Sequence, residues 1–212
     1  MNPDTARDVY QLLRVAYPDA RCELDHRNAF ELLVATVLSA QSTDVGVNRV
    51  TPVLFERWPT PAALAGADRE ELESVIRPTG FFRNKAASLL GLAQIITDEF
   101  DGQVPSQMTD LTRLPGVGRK TANVVRGHAF GLPAITTDTH VMRVSRRLGW
   151  TASTKPEVVE VEVGALFDPE VWTLLSDTLI FHGRRCCHAR RPDCVSCPVA
   201  HLCPGFGVVN QG

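Results

Sequence analysis

Four cysteines close to the end of the chain are spaced so that they can surround a single metal centre. They form the pattern Cys-x6-Cys-x2-Cys-x5-Cys, with prolines that turn the chain back on itself: Cys187, Cys194, Cys197 and Cys203. In an intracellular protein such a group indicates metal binding before disulfides. A tetrahedral zinc ion and a cubane iron-sulfur cluster both accept four thiolates. Zinc sites usually pair two Cys-x2-Cys units and only one is present, so the spacing modestly favours iron-sulfur and leaves zinc open.

The two remaining cysteines, Cys22 and Cys186, are interpreted as ordinary buried or partly buried thiols. Because Cys186 directly precedes Cys187, the metal-binding pattern could also begin one residue earlier. The spacing alone does not decide between these two starting points.

The composition is that of a soluble globular protein. The 212 residues are 44% hydrophobic and 22% charged, and no stretch approaches the roughly 18 apolar residues of a membrane span. The first residues, MNPDTARDVY, lack the basic start and apolar run of a signal peptide. We therefore expect a cytoplasmic protein with no membrane partner. Nothing in the sequence indicates an oligomer interface, so we expect a monomer.

Positive charge is concentrated in two segments, although the whole chain has a formal net charge of −2. Residues 110–150 hold seven arginines or lysines and two aspartates, and GRRCCHARR at 183–191 holds four arginines and no acid. A local basic surface can neutralise phosphates even when the protein as a whole is not basic. Either segment is also compatible with an ordinary solvated face, so charge alone does not establish a polyanion partner.

The hydrophobic pattern is helical almost throughout and predicts an all-α fold. NAFELLVATVLSAQ (28–41) is almost continuously apolar, which is typical of a buried core helix, and RNKAASLLGLAQIITDEF (83–100) has the period of a long amphipathic helix. Thr43 can cap a helix in which Pro52 predicts a kink or an early end. VVEVEVGAL (158–166) alternates like a strand but has no other strand to pair with, so we predict a helix there.

The segment TDLTRLPGVGRKTANVVRGHAF (109–130) is typical of two helices joined by a glycine turn. We predict a short helix ending near Leu114, a turn from Pro115 to Gly118 and a second helix beginning near Arg119. Glycines allow unusual backbone angles and leave the amides uncovered. These amides begin the second helix, whose free N–H groups and positive dipole end can bind an anion. The turn therefore predicts a phosphate site, with a plain corner of a helical bundle as the alternative.

An earlier segment, GFFRNKAASL (80–89), weakly repeats GVGRKTANVV (116–125). It lacks the second glycine, so no phosphate site is predicted there. Phe81 and Phe82 stand at its expected turn, where an exposed ring could fill the gap that an extruded base leaves in a duplex. The alternative is that one or both rings lie in the core.

Lys120 and Asp138 each stand at the start of a predicted helix. Asp138 precedes the apolar face formed by Val141, Val144 and Leu148, where a helix cap belongs, and most such aspartates are only caps. An amine nucleophile and a carboxylate near phosphate-binding amides can nevertheless attack a sugar C1′ and stabilise its developing positive charge. The combination of the two residues favours a catalytic role for both.

Three motifs, in this order along the chain, resemble the endonuclease III family of DNA glycosylases and AP lyases for oxidised pyrimidines. They are the hairpin LPGVGRKTANVV, the segment DTHVMRVSRRLG and the four-cysteine tail. The resemblance implies two helical domains with the active site in the cleft between them. One is a six-helix bundle with the helix-hairpin-helix at 22–133, and the other is an iron-sulfur domain formed by 1–21 and 134–212.

The same resemblance assigns roles to individual residues. It makes Lys120 the nucleophile, Asp138 the catalytic carboxylate and the four cysteines the ligands of a 4Fe-4S cluster, which would exclude zinc. The expected partner is double-stranded DNA containing damaged pyrimidines or abasic sites, within the cytoplasm and its nucleoid. The expected DNA contacts of the hairpin and the basic loop are Leu114, Gly116, Val117, Gly118, Arg119, Arg184, Arg185 and Arg190.

Four further residues match family positions around the extruded nucleotide. Gln41 corresponds to a glutamine inserted into the duplex, and Phe81 stands where the family has an apolar wedge. Asp44 and His140 match positions near the base pocket, although a capping or supporting role explains each of them equally well.

Three other functions are compatible with parts of the pattern. Related adenine glycosylases share the hairpin, the aspartate and the cysteines, but they typically have serine at the lysine position and an additional C-terminal domain. Thymine-mismatch glycosylases of the same superfamily also lack this lysine, so Lys120 argues against both. The third alternative is a non-catalytic helix-hairpin-helix protein that only binds DNA, and the joint presence of Lys120 and Asp138 argues against it.

Overall fold

The structure, a computed structural model, describes residues 2–206 and confirms the predicted all-α fold: none of these residues lies in a β-strand. Three 3-10 turns lie at Arg77–Thr79, Pro169–Val171 and Ala200–Leu202. The α-helices in chain order are α1 (Pro3–Ala16), α2 (Ala29–Leu38), α3 (Asp44–Arg57), α4 (Pro61–Ala65), α5 (Arg69–Ile76), α6 (Phe82–Glu99), α7 (Met108–Leu111), α8 (Arg119–Phe130), α9 (Thr139–Arg147), α10 (Pro156–Gly164) and α11 (Trp172–Arg185).

The chain divides into two compact units, each with its own buried core. The continuous unit is Cys22–Leu132 and contains α2 to α8. The discontinuous unit combines Met1–Arg21 with Pro133–Gly212 and contains α1 and α9 to α11. Within the described residues, no helix has the length and apolar composition needed to cross a bilayer.

The core of the continuous unit is built around α2, as its apolar sequence predicts. Every side chain of this helix from Phe30 to Leu38 is buried, and the helix packs against α3, α6 and α8. Asn28 caps its N-terminus, because the Asn28 side chain accepts a hydrogen bond from the Glu31 amide at 3.0 Å. Helix α2 is therefore the buried centre of this unit, and the turn that follows it contains Gln41.

The core of the discontinuous unit joins the first helix of the chain to the last three. Val9 and Leu13 of α1 are fully buried, and α1 packs against α11, which also packs against α9. Phe167 holds edge-on ring contacts with Trp150 at 5.0 Å and with Tyr10 of α1 at 5.8 Å between centroids. The N-terminal segment is thus part of the same core as the residues that follow Pro133.

Two local expectations had different outcomes. The segment 158–166 is helical where α10 covers it, as predicted. The early end at Pro52 is wrong, because α3 continues to Arg57. Proline inside a helix costs about 3 kcal/mol, but Leu54 and Phe55 beyond it are buried, and each buried side chain of this size contributes about 1.5–3 kcal/mol.

Candidate active site and metal centre

The glycine turn of the hairpin is tightly packed on one side and open on the other. Helix α8 begins at Arg119, as predicted, whereas α7 ends at Leu111, earlier than the predicted end near Leu114. Gly116 has φ +79°, and a Cβ added there would lie 2.9 Å from the Ser88 Cβ, so a side chain is excluded on this side. Gly118 is the N-cap of α8 with no side-chain cap hydrogen bond, and an added Cβ would meet nothing within 4 Å. The start of α8 is therefore accessible to an anion.

Two of the expected DNA-contact residues in this turn do not present their side chains. Leu114 is 2% exposed and Val117 is 6% exposed, because both belong to the core of the continuous unit. The Val117 amide also donates to the Leu114 carbonyl at 3.1 Å within the turn. The apolar pair therefore anchors the turn, and the expected phosphate contacts shift to the exposed backbone of Gly116 and Gly118.

Lys120 is the second residue of α8 and is exposed, as is its neighbour Arg119. The second position of a helix is one at which the backbone N–H has no partner inside the helix. A side-chain amine here lies beside the same helix start that can bind a phosphate. Within the continuous unit, an exposed amine therefore lies next to a helix start whose amides are open to an anion.

Asp138 is the N-cap of α9, as its sequence position predicts. Its Oδ1 accepts hydrogen bonds from the amides of His140 and Val141, both at 2.8 Å, and the residue is half-buried. These bonds hold the carboxylate in one orientation. Lys120 belongs to the continuous unit and Asp138 to the discontinuous unit.

The two residues matched to the base pocket are helix-start residues. Asp44 is the first residue of α3, which Thr43 caps, and it is half-buried. His140 is half-buried beside Gly183, and Arg143 Nη2 lies 3.1 Å from its Nδ1. A guanidinium can only donate, so this contact pairs with the neutral His140 tautomer that carries its proton on Nε2. Burial lowers the pKa of His140, with a further lowering by Arg143 that the Asp138 charge opposes.

Gln41 and Phe81, the residues matched to duplex insertion, share an unusual backbone conformation. Gln41 has φ +54° and Phe81 has φ +47°, which is uncommon for residues other than glycine. Both are exposed, and Phe81 is 63% exposed. Phe82 is instead half-buried, with the guanidinium groups of Arg77 and Arg83 about 5 Å from its ring centroid. Of the two rings, Phe81 is the one that projects into solvent.

The arginines at the end of α11 and in the cysteine loop are not equivalent. Arg184 and Arg190 are exposed. Arg185 makes two hydrogen bonds to the Asp19 carboxylate, at 3.0 and 2.7 Å, and lies 4.4 Å above the Phe181 ring. Its charge is therefore largely compensated within the discontinuous unit, and it is a weaker candidate for DNA contact than its sequence position suggested.

Sequence reasoning missed two arginines that organise this loop. Arg143 Nε donates to the Cys187 carbonyl at 3.1 Å, and Arg147 donates to the carbonyls of His188 and Ala189 and to Cys187 Sγ at 3.3 Å. The signal was present, because residues four apart lie on one face of a helix. In the sequence alone, however, Arg143 and Arg147 indicate only a general basic surface.

The four cysteines line one cavity of the discontinuous unit, together with apolar residues such as Leu148, Val199 and Phe206. Thiolates about 2.3 Å from a single zinc ion would lie about 3.8 Å apart. Among the described residues, no three of these four sulfurs lie within 4.8 Å of one another. The four sulfurs are therefore more widely spaced than the ligands of one zinc ion. Burial raises the pKa of Cys197 and Cys203, so metal binding must supply the energy that keeps them ionised.

Cys186 is a buried thiol, as expected. Its Sγ donates to the Asp193 carbonyl at 3.3 Å, and burial raises its pKa to about 12. It lies within 4.8 Å of His182 and Cys197. His182 is itself buried, with Nδ1 3.0 Å from the Tyr17 hydroxyl and Nε2 3.9 Å from Cys197 Sγ. Three buried residues therefore lie against the cysteine loop: Cys186, His182 and Tyr17.

Comparison with known proteins agrees with both parts of the site. Residues 34–169 match the family model described as HhH-GPD superfamily base excision DNA repair protein, and residues 187–203 match the iron-sulfur binding domain of endonuclease III. Endonuclease III of Synechocystis sp. is 51% identical over 200 residues, covering 94% of this chain and 91% of that protein. Endonuclease III of Escherichia coli is 38% identical over 203 residues, covering 96% of each.

Comparison with solved structures shows that the chain shares the fold of endonuclease III. A non-covalent endonuclease III–DNA complex has a TM-score of 0.94 at 44% identity and covers 100% of both chains. A trapped endonuclease III–DNA covalent intermediate has a TM-score of 0.92 at 45% identity and covers 97% of both. A thermostable thymine-DNA glycosylase has a TM-score of 0.86 at 20% identity, which shows a shared fold only.

The fold and the site define a base-excision-repair enzyme that binds DNA and carries an iron-sulfur centre. Within that class, the chain belongs to the endonuclease III family of the HhH-GPD superfamily. It is accordingly a DNA glycosylase and lyase with a 4Fe-4S cluster.

Proposed function

We propose that this chain removes oxidised pyrimidines from duplex DNA and cuts the strand 3′ to the resulting abasic site through a covalent intermediate on Lys120. The observation that carries the proposal is the exposed Lys120 amine at the second residue of α8, directly after an open glycine turn. A phosphate bound at that helix start would bring the neighbouring deoxyribose within reach of the amine. The covalent intermediate trapped in a related endonuclease III supports this route.

Lys120 attacks the sugar as a neutral amine. A bond forms between its Nζ and C1′ as the bond from C1′ to the base breaks, and the base leaves with that electron pair and takes up a proton. The attached amine loses a proton, and the bond from C1′ to O4′ breaks with its electron pair moving to O4′, which takes up a proton. The ring is then open, and the Schiff base between Nζ and C1′ makes the C2′ proton acidic. Loss of that proton forms a C2′–C3′ double bond and expels the 3′ phosphate with the electrons of its bond to C3′, which cuts the strand.

Asp138 stabilises the positive charge that develops on the sugar and assists proton transfer. Its two amide hydrogen bonds at 2.8 Å hold the carboxylate in place before the reaction, so no reorganisation is needed in the transition state. The meeting of Asp138 and Lys120 at one deoxyribose is part of the proposal.

The duplex is held and opened by residues outside the chemical step. The backbone of Gly116 and Gly118 binds a phosphate, with further positive charge from Arg119, Arg184 and Arg190 as candidate phosphate contacts. Gln41 and Phe81 fill the gap left by the extruded nucleotide, which reduces the cost of unstacking it. Asp44 and His140 contribute to the pocket for the extruded base.

The 4Fe-4S cluster bound by the four cysteines holds the loop that carries Arg190 in one conformation, directly after the end of α11, which carries Arg184. Four thiolates and the cluster core together carry a net negative charge, so the attraction for DNA comes from the arginines. We further propose that the protein acts as a monomer in the cytoplasm.

Borohydride trapping tests the covalent route. Holoenzyme incubated with duplex DNA containing one oxidised pyrimidine or one abasic site should give a cross-linked adduct after reduction. Lys120→Ala should give none, while Lys155→Ala, which removes another exposed lysine, should trap normally. Strand cleavage by Lys120→Ala at the wild-type rate would exclude the proposed nucleophile.

A panel of duplexes, each with one lesion, tests the substrate class. Base release and strand cutting are measured separately for oxidised pyrimidines, for adenine opposite a damaged guanine and for thymine mismatches. Preferential release of adenine or mismatched thymine would favour the mismatch-glycosylase alternatives. Binding without turnover on every duplex would favour a non-catalytic DNA-binding role.

A further inference from the structure

Lys85 is a buried lysine in the core of the continuous unit. It is the fourth residue of α6 and is 5% exposed. Its Nζ donates to the Leu38 carbonyl and to the Thr79 carbonyl, both at 2.7 Å. A buried amine costs free energy unless it is hydrogen-bonded, and burial lowers the pKa of Lys85. An apolar side chain would be less costly to bury at this position, so the two hydrogen bonds are the feature that only a lysine supplies.

The two acceptors lie two or three positions before Phe81 and Gln41, which are two of the exposed residues with positive φ. Leu38 is the last residue of α2 and precedes Gln41 by three positions. Thr79 ends the 3-10 turn and precedes Phe81 by two positions. A single ammonium group thus joins the ends of two elements that are far apart in the sequence.

The backbone of Lys85 contributes a third bond to the same region. Its amide donates to the Phe81 carbonyl at 3.1 Å, while its side chain returns to Thr79. Lys85 therefore bonds the carbonyls on both sides of Gly80: its amide bonds that of Phe81 and its side chain bonds that of Thr79. Gly80 has φ +70° and Phe81 has φ +47°. Backbone in this region persists only where the surrounding structure holds it.

We propose that Lys85 is a positioning residue that fixes the spacing between Gln41 and Phe81, so that both enter the duplex together when a nucleotide is extruded. The ammonium suits this task because it has three donors and can bond two carbonyls that arrive from different directions. A thioether or alkyl chain of the same length would leave both carbonyls buried without a donor. This inference rests on the proposed function, in which Gln41 and Phe81 fill the gap.

The first test compares Lys85→Met with Thr36→Val in the complete, cluster-loaded protein. Thr36 is buried in α2 and donates to the Leu32 carbonyl at 2.6 Å, so its variant loses a buried hydrogen bond of the same helix away from both turns. Single-turnover strand cutting is measured on an abasic site in duplex DNA and in a single strand. Only the duplex requires the gap to be filled.

We expect Lys85→Met to slow cutting of the duplex by about tenfold or more, since misplacement by about 1 Å can cost about 100-fold. Cutting of the single strand should change less than about twofold, so the ratio of the two rates should fall. Thr36→Val should leave this ratio unchanged even if both variants are equally destabilised to urea. Equal losses on both substrates for Lys85→Met would assign Lys85 a structural role only and overturn the inference.

A double-mutant cycle makes the test specific. In a Gln41→Ala, Phe81→Ala background there is nothing left to position, so Lys85→Met should have little further effect on the duplex rate. The full effect of Lys85→Met in that background would contradict the inference. If Gln41→Ala with Phe81→Ala leaves the duplex rate unchanged, the gap-filling role fails for all three residues while the Lys120 chemistry stands. Failure of borohydride trapping would instead overturn the proposed function itself.

Discussion

Arg147 of α9 donates a hydrogen bond from Nη1 to Cys187 Sγ at 3.3 Å. The same side chain holds the carbonyls of His188 and Ala189, so it bonds both the sulfur and the backbone that follows it. Hydrogen bonds to a ligating sulfur stabilise the reduced, more negative form of an iron-sulfur cluster. Its sequence neighbour Arg146 is exposed and makes no side-chain hydrogen bond to the described part of the cysteine loop.

Arg147→Gln should therefore lower the reduction potential of the cluster relative to wild type. Arg146→Gln removes the same charge one residue away and should shift the potential much less, because a solvated charge is screened. Voltammetry of the two variants and the wild type, without DNA, makes the comparison. An equal shift in both variants would mean that net charge, and not the hydrogen bond, tunes the centre.

Cys187→Ala should lose the cluster, and Cys186→Ala should retain it. The two thiols are adjacent, but Cys186 is 8% exposed and bonded to the Asp193 carbonyl, whereas Cys187 is matched within the iron-sulfur binding domain at 187–203. Iron and sulfide content and the visible absorbance of the purified variants give the result directly. Loss of iron from Cys186→Ala with retention in Cys187→Ala would show that the pattern begins one residue earlier.

Asp138→Asn should fold almost normally and lose activity by about 100-fold or more. An asparagine oxygen can still cap α9, but it lacks the charge that stabilises the cationic sugar. Asp68→Asn is the matched control, because the Asp68 carboxylate caps α5 with a 2.9 Å bond to the Glu71 amide. Urea denaturation and single-turnover base release are measured for both. If the activity of Asp138→Asn falls only as far as its stability does, Asp138 is a cap alone.

The stability of the protein should depend on His140 at mildly acidic pH. Burial and Arg143 lower the pKa of this histidine in the folded state, so below its ordinary value of 6.5 the unfolded state binds the proton more strongly. The contribution of neutral His140 to the free energy of unfolding is therefore fully present above pH 6.5 and decreases as the pH falls below that value. Urea denaturation at pH 7.5 and pH 5.5 should show a smaller loss for His140→Gln than for wild type.

His201→Gln, which changes an exposed histidine, is the control for this pH dependence. The loss of stability of His140→Gln between the two pH values should be smaller than that of this control. A His140→Gln variant that loses as much stability as wild type would mean that His140 does not contribute to the pH dependence.

Much of the site is specified by short stretches of sequence. The cap of α9 by Asp138, the glycine turn before α8 and the spacing of the four cysteines depend on neighbours only a few residues away. Helix caps, left-handed glycines and thiol spacing act over one or two turns of chain. They could therefore be inferred from the sequence alone.

Burial and choice of partner required the tertiary structure. Phe81 and Phe82 are adjacent and chemically identical, yet only Phe81 is 63% exposed. Arg185 and Arg184 are equally basic, yet only tertiary packing reveals that Asp19 compensates Arg185. Pro52 does not end α3 because the core on both sides of it outweighs the lost hydrogen bond.

Lys85 illustrates the boundary between the two kinds of information. Its position on the apolar face of α6, among Ala86, Leu89 and Leu92, is visible in the sequence as a lysine where a hydrophobic residue belongs. Its acceptors at Leu38 and Thr79 are not, because they are set by the packing of separate helices. Local chemistry thus determined the helices, the caps and the donor set of the metal centre. Long-range packing decided which side chains are buried. It also decided which carbonyls and carboxylates the lysine and arginine side chains bond. Both depend on contacts between segments that are far apart in the sequence.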